Sequence, residues 1–409
     1  MAVNYRALSF WHATVPDELS PRAALDRDLD VDVAIIGAGL TGLWTAWYLK
    51  KRNPALSIAV LEKEIAGFGA SGRNGGWCSA LFPASTAKLE RLHGRDAALA
   101  MRRAIEEAAQ YGVDLLELRG PQPAAGAIGA SFDPNCASIH PAKLVRGLAK
   151  ALEQRGVVIY EQTEVLDFSP RAVATAGGAV RCGTIVVALE GYGATLPVTK
   201  RRVLPLYSLM IATEPLEDSV WDAIGIEHGQ TFADYRHLLI YGQRTADNRF
   251  AFGGRGARYH WGSSIKTEFD RSPRVFEHLR KALGELFPMI GGLEVAYRWG
   301  GPLGVARDWH ASASFDRATG IAWAGGYVGD GLSTTNLAGR TLTDLITRTD
   351  SELVRLPWVN HVSPLWEPEP LRFLGANAGL AAMAIADSEE RVTNRSSVTA
   401  KLMGRLTGH

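Results

Sequence analysis

The sequence predicts an α/β protein of two domains, one built on a parallel sheet and the other an α+β domain built on an antiparallel sheet. Three observations lead to this prediction. The chain has 409 residues, more than one simple core accommodates. An apolar run at 31–36, a glycine turn, a stretch with helical spacing and a second apolar run at 57–64 form a βαβ unit. Apolar and polar residues alternate between 203 and 260, a pattern typical of an antiparallel sheet.

Composition and charge are those of a globular protein that binds neither nucleic acid nor a membrane. Apolar residues make up 46% of the chain and charged residues 21%, and 44 basic against 43 acidic side chains leave a net charge of +1. A balanced charge gives a polyanion no electrostatic reason to bind. The apolar stretch 373–386 is too short to cross a bilayer, and it predicts a buried helix.

The cysteines and the N-terminal segment predict a reduced, cytoplasmic compartment. Cys78, Cys136 and Cys182 are odd in number and far apart, without a CxxC pair or a metal-ligand spacing. We therefore expect neither a disulfide framework nor a metal site. Residues 1–29 carry charges and no apolar segment, so they predict an irregular arm rather than a signal peptide.

The glycine turn that follows the first apolar run has the spacing of a dinucleotide-binding site. Gly37 permits the turn from strand to helix, Gly39 lets a pyrophosphate approach the backbone, and Gly42 lets the helix pack closely on the strand. The N-terminus of that helix offers N–H groups to phosphate. Glu62 ends the second strand, where a carboxylate accepts hydrogen bonds from ribose hydroxyls and disfavours the 2′-phosphate of NADP. The predicted contacts in this Rossmann-like unit are Gly37, Gly39, Leu40, Thr41, Gly42, Glu62 and Lys63.

A polar, glycine-rich loop at 67–83 favours FAD over NAD. In NAD dehydrogenases a helix usually follows the acidic end of the second strand, whereas this loop can wrap a second diphosphate and reach an isoalloxazine ring. Arg73 is expected beside the ring or the phosphates. The loop residues predicted to bind the cofactor are Ala70, Ser71, Gly72, Arg73, Asn74, Gly75 and Gly76.

Four stretches together resemble the D-amino-acid oxidase-like flavoprotein superfamily, and within it the branch that contains gamma-glutamylputrescine oxidase. They are IIGAGLTGL, LEKEIAGFGASGRNGG, HPAKLVRGLAKALEQRGVVIYEQTEV and WAGGYVGDGLSTTNLAGRTLTDLI. The resemblance implies an FAD-binding domain of the glutathione-reductase type, in which Val165 contacts the adenine and Ala188 lies close to the dinucleotide. No cysteine or histidine stands where relatives attach their flavin covalently, so we expect noncovalent FAD.

The second glycine turn, in GGYVGDGLSTTNLAGR, concerns the reactive end of the cofactor. Its glycines deliver the N-terminus of a helix that is predicted to begin near Ser333. The resemblance implies that this N-terminus faces the pyrimidine edge of the flavin, where a helix dipole stabilises negative charge. The residues predicted to contact the cofactor here are Gly326, Gly329, Gly331, Leu332, Ser333 and Thr334.

Four side chains are predicted to take part in catalysis. Sarcosine-oxidase-like relatives carry a lysine that assists oxygen reduction in a segment similar to FAFGGRGARYH, and Arg255 is the nearest cation here. An arginine can replace that lysine electrostatically but not as an acid–base group. Trp77, Tyr259 and Tyr327 are aromatic candidates for contacts with an amine through cation–π interaction.

These observations predict an FAD-dependent enzyme that oxidises the C–N bond of a small amine, which can be a polyamine derivative, an amino acid or an aminophosphonate. Hydride transfer to the flavin gives an imine, which hydrolyses to an aldehyde or a keto acid. Two alternatives stay open: an NAD(P)H-dependent flavin monooxygenase and a noncatalytic subunit that carries FAD. The expected assembly is a monomer or a homodimer.

The predicted domains are discontinuous in sequence. They are an arm at 1–29, the FAD-binding domain at 30–84, 140–204 and 320–350, the substrate domain at 85–139 and 205–319, and a helical tail at 351–409.

Overall fold

The structure is a computed structural model, and it describes residues 3–108, 117–119, 124–125, 127, 130–132, 136–234, 236–290, 292–393 and 395–407. The strands are β1 Leu29–Ile36, β2 Ile58–Leu61, β3 Trp77–Ser79, β4 Glu117–Arg119, β5 Ala130–Phe132, β6 Cys136–Ser138, β7 Val158–Tyr160, β8 Val165–Ser169, β9 Ala172–Thr175, β10 Ala179–Val187, β11 Leu204–Thr213, β12 Thr231–Ala233, β13 Ile240–Arg244, β14 Phe250–Gly254, β15 Val295–Val305, β16 Ser312–Asp316 and β17 Ile321–Gly325. The α-helices are α1 Phe10–Thr14, α2 Leu40–Arg52, α3 Ala70–Arg73, α4 Thr86–His93, α5 Arg95–Ala108, α6 Pro141–Glu153, α7 Asp218–Ile224, α8 Pro273–Leu286, α9 Gly331–Thr347, α10 Leu371–Thr393 and α11 Val398–Thr407.

The larger sheet is mostly parallel and has the order β16-β17-β10-β1-β2-β7, with β9 paired to β10 and β8 to β9. Strands β17, β10, β1, β2 and β7 run parallel to one another, whereas β16 is antiparallel to β17. Alternate residues of β1 enter different cores. Val33 and Ile35 pack with helices α2, α6 and α9, whereas Ala34 and Ile36 pack with the strands β8 to β10. The βαβ unit predicted from the sequence is therefore present, with a helical layer on one face.

The smaller sheet is antiparallel, with the order β12-β13-β14-β11-β15. It has its own core, in which Phe250 and Phe252 of β14 pack against Leu279 and Leu283 of α8. The two sheets confirm the predicted α/β class with a second, antiparallel layer.

Packed helices lie both before β1 and after β3. The arm is not irregular throughout, since it contains a 3-10 turn, Tyr5–Leu8, and the helix α1, with Phe10 and Trp11 buried. Helices α4 and α5 pack in the core of the parallel sheet through residues such as Leu89 and Met101.

Helix α10 contains the apolar stretch 373–386, which predicts a buried helix, and this prediction is wrong. In α10 only Arg372 and Ala386 are buried among the described residues, and Leu371, Leu374 and Ile385 are each about 60% exposed. The apolar stretch correctly predicted a helix, but only a narrow stripe of that helix packs against the rest of the protein. Among the described helices, none combines the length and apolarity that a bilayer crossing requires.

The packing of α2 on β1 provides a test of the first glycine turn. A Cβ atom at position 42 would lie 2.2 Å from the carbonyl oxygen of Gly37 and 2.9 Å from Cγ2 of Ile35. We expect Gly42→Ala to lower the free energy of unfolding of the cofactor-free protein by about 1–3 kcal/mol, because a close-packed interior does not yield easily. Urea unfolding followed by circular dichroism measures this change.

The matched control is Gly147→Ala, in the exposed middle of α6. A Cβ atom there meets nothing within 4 Å, so the substitution is expected to leave stability unchanged or to raise it by up to about 1 kcal/mol. Equal effects of the two substitutions would contradict the packing argument.

Candidate functional site

A cavity of about 1430 Å³ lies between the two sheets. It exceeds the ~300–1,000 Å³ of ordinary small-molecule pockets. One end is formed where β1, β2 and β10 finish, at Gly37, Glu62 and Ala188, and the other reaches Tyr241 of the antiparallel sheet. The carboxyl ends of parallel strands are where open α/β sheets bind ligands.

The first glycine turn has the backbone that its glycines predict. Gly37 has φ +104°, and a Cβ atom there would lie 2.7 Å from the carbonyl oxygen of Ala188. Gly39 is the N-cap of α2, and the N–H of Leu40 donates to Oγ of Ser71 at 2.8 Å. The start of α2 and the glycine-rich loop therefore meet at the cavity wall, where two sets of backbone N–H groups face one space.

Glu62 is half-buried at the cavity wall, and backbone groups hold its carboxylate. Oε2 accepts a hydrogen bond from the N–H of Ala38 at 2.9 Å, and Oε1 accepts one from the N–H of Glu64 at 3.0 Å. Burial raises the pKa of Glu62 to about 7, although these two N–H groups act in the opposite direction. A donor from a ligand would favour the charged form.

The loop after β2 repeats the spacing of the first glycine turn, a feature that the sequence reasoning missed. Gly67, Gly69 and Gly72 form a second GxGxxG, and α3 begins inside it. A Cβ atom at Gly72 would lie 2.2 Å from the carbonyl oxygen of Gly67. This equals the distance from a Cβ atom at Gly42 to the carbonyl oxygen of Gly37. The N-terminal arm supports this loop, because Nε1 of Trp11 donates to the carbonyl oxygen of Asn74 at 2.8 Å.

Arg73 is buried at the cavity wall, and most of its guanidinium is paired. Nη1 donates to Asp270 at 2.7 Å and to the carbonyl oxygen of Gly300 at 2.9 Å, and Nη2 donates to the hydroxyl of Tyr192 at 2.7 Å. Its Nε is buried without a hydrogen-bond partner in the described part of the chain. Nε1 of Trp77 is likewise buried without a hydrogen-bond partner among the described residues. Buried polar atoms without partners point to a missing polar ligand, so this end of the cavity fits a bound group with acceptors.

Glu190 is a site residue that sequence reasoning missed. It follows β10 with φ +46°, and its carboxylate accepts hydrogen bonds from the N–H groups of Gly304 (3.2 Å), Gly326 (3.0 Å) and Tyr327 (3.1 Å). Burial raises its pKa to about 7 against these three donors. The residue lines the cavity and connects the parallel sheet, β15 and the second glycine turn.

The second glycine turn leads into α9, which begins at Gly331 rather than Ser333. Ser333 turns away from the cavity and donates to the carbonyl oxygen of Ser79 at 2.6 Å. Asp330, the N-cap, lines the cavity, and burial raises its pKa to about 6 against the nearby charge of Arg255. The hydroxyl of Tyr327 lies 3.0 Å from Oγ1 of Thr41 and so links this turn to α2.

The structure brings three of the four predicted catalytic side chains to the cavity. Arg255, Trp77 and Tyr327 line it, whereas Tyr259 does not. The hydroxyl of Tyr259 is 3.0 Å from Oγ of Ser263 and donates to Glu369 at 2.7 Å, so its contacts are with the C-terminal segment.

Arg255 lies beside the second glycine turn. Its Nη2 donates to the carbonyl oxygen of Val328 at 2.7 Å, and its guanidinium lies 5.7 Å from the ring of Trp309. Lys266, another lining cation that sequence reasoning missed, is exposed.

The predicted cofactor residues divide into those that line the cavity and those that pack behind it. The lining group is Gly37, Gly39, Leu40, Thr41, Glu62, Lys63, Ala70, Ser71, Arg73, Asn74, Gly75, Val165, Ala188, Gly329, Gly331 and Leu332. The group outside the lining is Gly42, Gly72, Gly76, Gly326, Ser333 and Thr334. In the second group, Gly42 and Gly72 permit close backbone packing rather than ligand contact.

Solved structures of similar fold cover most of the chain. The crystal structure of glycine oxidase from Geobacillus kaustophilus superposes with a TM-score of 0.63 at 20% identity, covering 82% of this chain and 100% of that one. The crystal structure of L-proline dehydrogenase from P. horikoshii gives a TM-score of 0.64 at 17% identity, covering 81% and 96%. At these identities the likeness establishes the fold.

Sequence comparison identifies relatives over a similar length. The probable oxidoreductase OrdL of Haemophilus influenzae is 30% identical over 380 residues, 79% of this chain and 84% of that protein. The gamma-glutamylputrescine oxidoreductase of Escherichia coli is 28% identical over 399 residues, 84% and 90% of the two chains. The family model described as DAO, FAD dependent oxidoreductase, matches residues 32–120 and 93–345. The chain therefore belongs to the DAO family of FAD-dependent oxidoreductases, as the residues around its two glycine turns had indicated.

Proposed function

We propose that this enzyme oxidises the C–N bond of a small amine or amino acid with noncovalently bound FAD. The observation that carries the proposal is the single cavity that runs from Glu62 and the first glycine turn to the antiparallel sheet and Arg255. The names of the similar proteins agree with it, since they concern a putrescine derivative, glycine and L-proline.

The cavity residues suggest how the cofactor would lie. Glu62 would accept hydrogen bonds from the ribose, Val165 would adjoin the adenine, and the start of α2 would face the pyrophosphate. The orphaned Nε of Arg73 would donate to the ring system. The second glycine turn, with the N-terminus of α9, would face the reactive end. When bound, the flavin supplies the two-electron acceptor that no side chain offers.

The other side of the cavity would receive the substrate. Trp77, Tyr241 and Tyr327 line the cavity, and such aromatic surface suits an amine and its alkyl chain. Asp330 and Glu190 have pKa values raised by burial to about 6 and about 7. Asp330 would therefore be largely ionised near neutral pH and would attract a cationic amine. The antiparallel sheet would exclude water from the opposite face of the substrate.

The proposal is tested by anaerobic reduction of the purified holoenzyme with a panel of amines, amino acids and aminophosphonates. At least one amine is expected to bleach the flavin absorbance without NAD(P)H. Bleaching by NAD(P)H alone would instead support the monooxygenase alternative, and bleaching by neither would support the carrier alternative. Because Cys136 also lines the cavity, acid precipitation tests the mode of attachment, and we expect the flavin to stay in the supernatant.

The ribose contact of Glu62 predicts a pH-dependent affinity for FAD. Below its pKa of about 7 the carboxyl binds a proton and loses acceptor capacity, so FAD affinity is expected to fall as the pH decreases from 8 to 6. Glu62→Gln should weaken binding about tenfold, roughly the 1.4 kcal/mol of a charged hydrogen bond, and should flatten the pH profile. Fluorescence titration of the apoprotein with FAD measures both effects.

The matched control for this experiment is Glu277→Gln, which removes a carboxylate on the surface helix α8. It should leave both the affinity and its pH profile unchanged. A Glu62→Gln variant that keeps the wild-type pH profile would exclude Glu62 as the titrating group.

The position of Arg255 predicts a role in the reaction with oxygen. Arg255→Met is expected to lower oxygen-dependent turnover at least tenfold while turnover with an artificial acceptor dye changes little, because oxygen reduction develops negative charge next to the lost cation. Arg255→Lys should retain most of the activity. Steady-state kinetics with varied oxygen concentration, and with the dye, separate the two acceptors.

Two further variants distinguish Arg255 from its neighbours. Arg258→Met removes an exposed cation outside the cavity lining and is expected to have no effect. Lys266→Met removes the exposed lining cation. If oxygen-dependent turnover is lost with Lys266→Met and kept with Arg255→Met, the assignment to Arg255 is wrong.

A further inference from the structure

Three histidines that are distant in sequence meet outside the cofactor cavity. His93 is the last residue of α4, His310 lies in the loop between β15 and β16, and His361 follows the 3-10 turn after α9. One ring nitrogen of each lies within 4.8 Å of one ring nitrogen of each of the others. The rings of His310 and His361 stack with their centroids 3.9 Å apart.

The hydrogen bonds of two of the rings fix the nitrogen that carries the proton. Nδ1 of His310 lies 2.7 Å from the carbonyl oxygen of Ala311, and because a carbonyl only accepts, Nδ1 is the donor. Nε2 of the same ring is then a lone pair, and it is buried without a hydrogen-bond partner within the described ranges. Nε2 of His361 donates to Oδ2 of Asp308 at 2.7 Å, so in the neutral ring Nδ1 carries the lone pair.

This pattern is the one that metal-binding histidines show. A ligating imidazole donates its second N–H to a backbone carbonyl or to a carboxylate, which orients the ring and increases its basicity. His310 uses the carbonyl of Ala311, and His361 uses the carboxylate of Asp308. Burying an imidazole nitrogen without a partner costs free energy, and a cation would satisfy it.

The charges next to the cluster act on a cation in opposite directions. The carboxylate of Asp308 favours a cation, whereas the ammonium of Lys88, which donates to the carbonyl oxygen of Asp308, opposes it. His93 stands at the C-terminal end of α4, where the helix dipole is negative. Its side chain is exposed, which provides an entry path from solvent and leaves a fourth position for water.

We propose that His93, His310 and His361 bind one divalent transition-metal ion of the zinc class, with Asp308 orienting His361. Three imidazoles select such ions over Mg²⁺ and Ca²⁺, which prefer oxygen ligands. Nitrogens that bind one tetrahedral zinc at about 2.0–2.1 Å lie about 3.3–3.4 Å apart. The three ring nitrogens lie within 4.8 Å of one another, so the widest pair has to close by up to about 1.5 Å. The exposed His93 can make that movement. The three ligands come from distant parts of the chain, and for this reason no spacing in the sequence predicted a metal site.

The position of the site gives the ion a structural role. A Cβ atom at Gly326 would lie 3.3 Å from Cβ of Ala306 and 3.4 Å from the carbonyl oxygen of His310, so the loop that carries His310 packs behind the second glycine turn. The same loop holds Trp309 against Arg255. A bound ion would join this loop to α4 and to the segment at 361, and would so hold the back of that turn.

The test is isothermal titration of ZnCl₂ into holoenzyme that has been dialysed against a chelator and carries no histidine tag. We expect one zinc per chain, with an affinity at least tenfold lower in His93→Ala and in His361→Asn. Bound zinc should raise the melting temperature of the wild type and not of His93→Ala. An excess of Mg²⁺ should not compete.

The matched control is His278→Ala, which removes an exposed histidine from the surface helix α8. It should bind zinc like the wild type. The proposal is overturned if the wild type shows no saturable binding, or if His93→Ala and His361→Asn bind zinc as tightly as the control does. Because His93 is exposed, its replacement is not expected to unfold the chain, and none of these outcomes depends on the substrate.

Discussion

The carboxylate of Glu190 holds together the three parts of the chain that meet over the cavity. It leaves the end of β10 in the parallel sheet and accepts N–H groups from β15 of the antiparallel sheet and from the second glycine turn. Hydrogen bonds to a charged group contribute about 1.5–3 kcal/mol each. One carboxylate at the cavity wall therefore joins both sheets and the second glycine turn. Positions 304 and 325 are glycines, and a Cβ atom at either would lie 3.0 Å from this carboxylate.

Glu62 follows the same design at the other end of the cavity. Each carboxylate stands just past the end of a parallel strand, each is satisfied by backbone N–H groups, and each has a pKa raised by burial to about 7. The two carboxylates differ in the source of their hydrogen-bond donors. Glu190 has its donors from three chain segments and acts within the fold, whereas Glu62 lies beside the first glycine turn, where a ligand can add further donors. One type of side chain thus serves assembly at one strand end and, in the proposed function, ligand binding at another.

The sequence predicted the features that local patterns encode. The spacing of Gly37, Gly39 and Gly42, the acidic end of β2 and the alternation between 203 and 260 predicted both sheets and residues that line one end of the cavity. Long-range contacts were not predictable in this way. In the sequence, Glu190 is one of many acids near the end of a strand. Only the fold brings the N–H groups of Gly304 and Gly326 to its carboxylate. Tyr259 is predicted to contact the substrate as an aromatic candidate, yet its neighbours are Ser263 and Glu369. The helix α10 has an apolar composition, and composition alone does not show which of its faces packs against the rest of the protein.

Arg73 and Arg255, which both line the cavity, show why the partners of a cation matter more than its position. Arg73 lies in the glycine-rich loop, where Asp270 neutralises its charge and two further acceptors hold its geometry. Its Nε–H has no partner among the described residues, which suits orientation of a bound ring. The guanidinium of Arg255 donates to a neutral carbonyl and lies over Trp309. Asp330 lies near this charge, and burial raises the pKa of Asp330 to about 6. A charge without a directly bonded carboxylate acts over a longer distance in a desolvated cavity than a paired one does. Under the proposed function, Arg255 would therefore be the better placed of the two to stabilise negative charge that develops during oxygen reduction, and Arg73 would be the better placed to orient the bound ring.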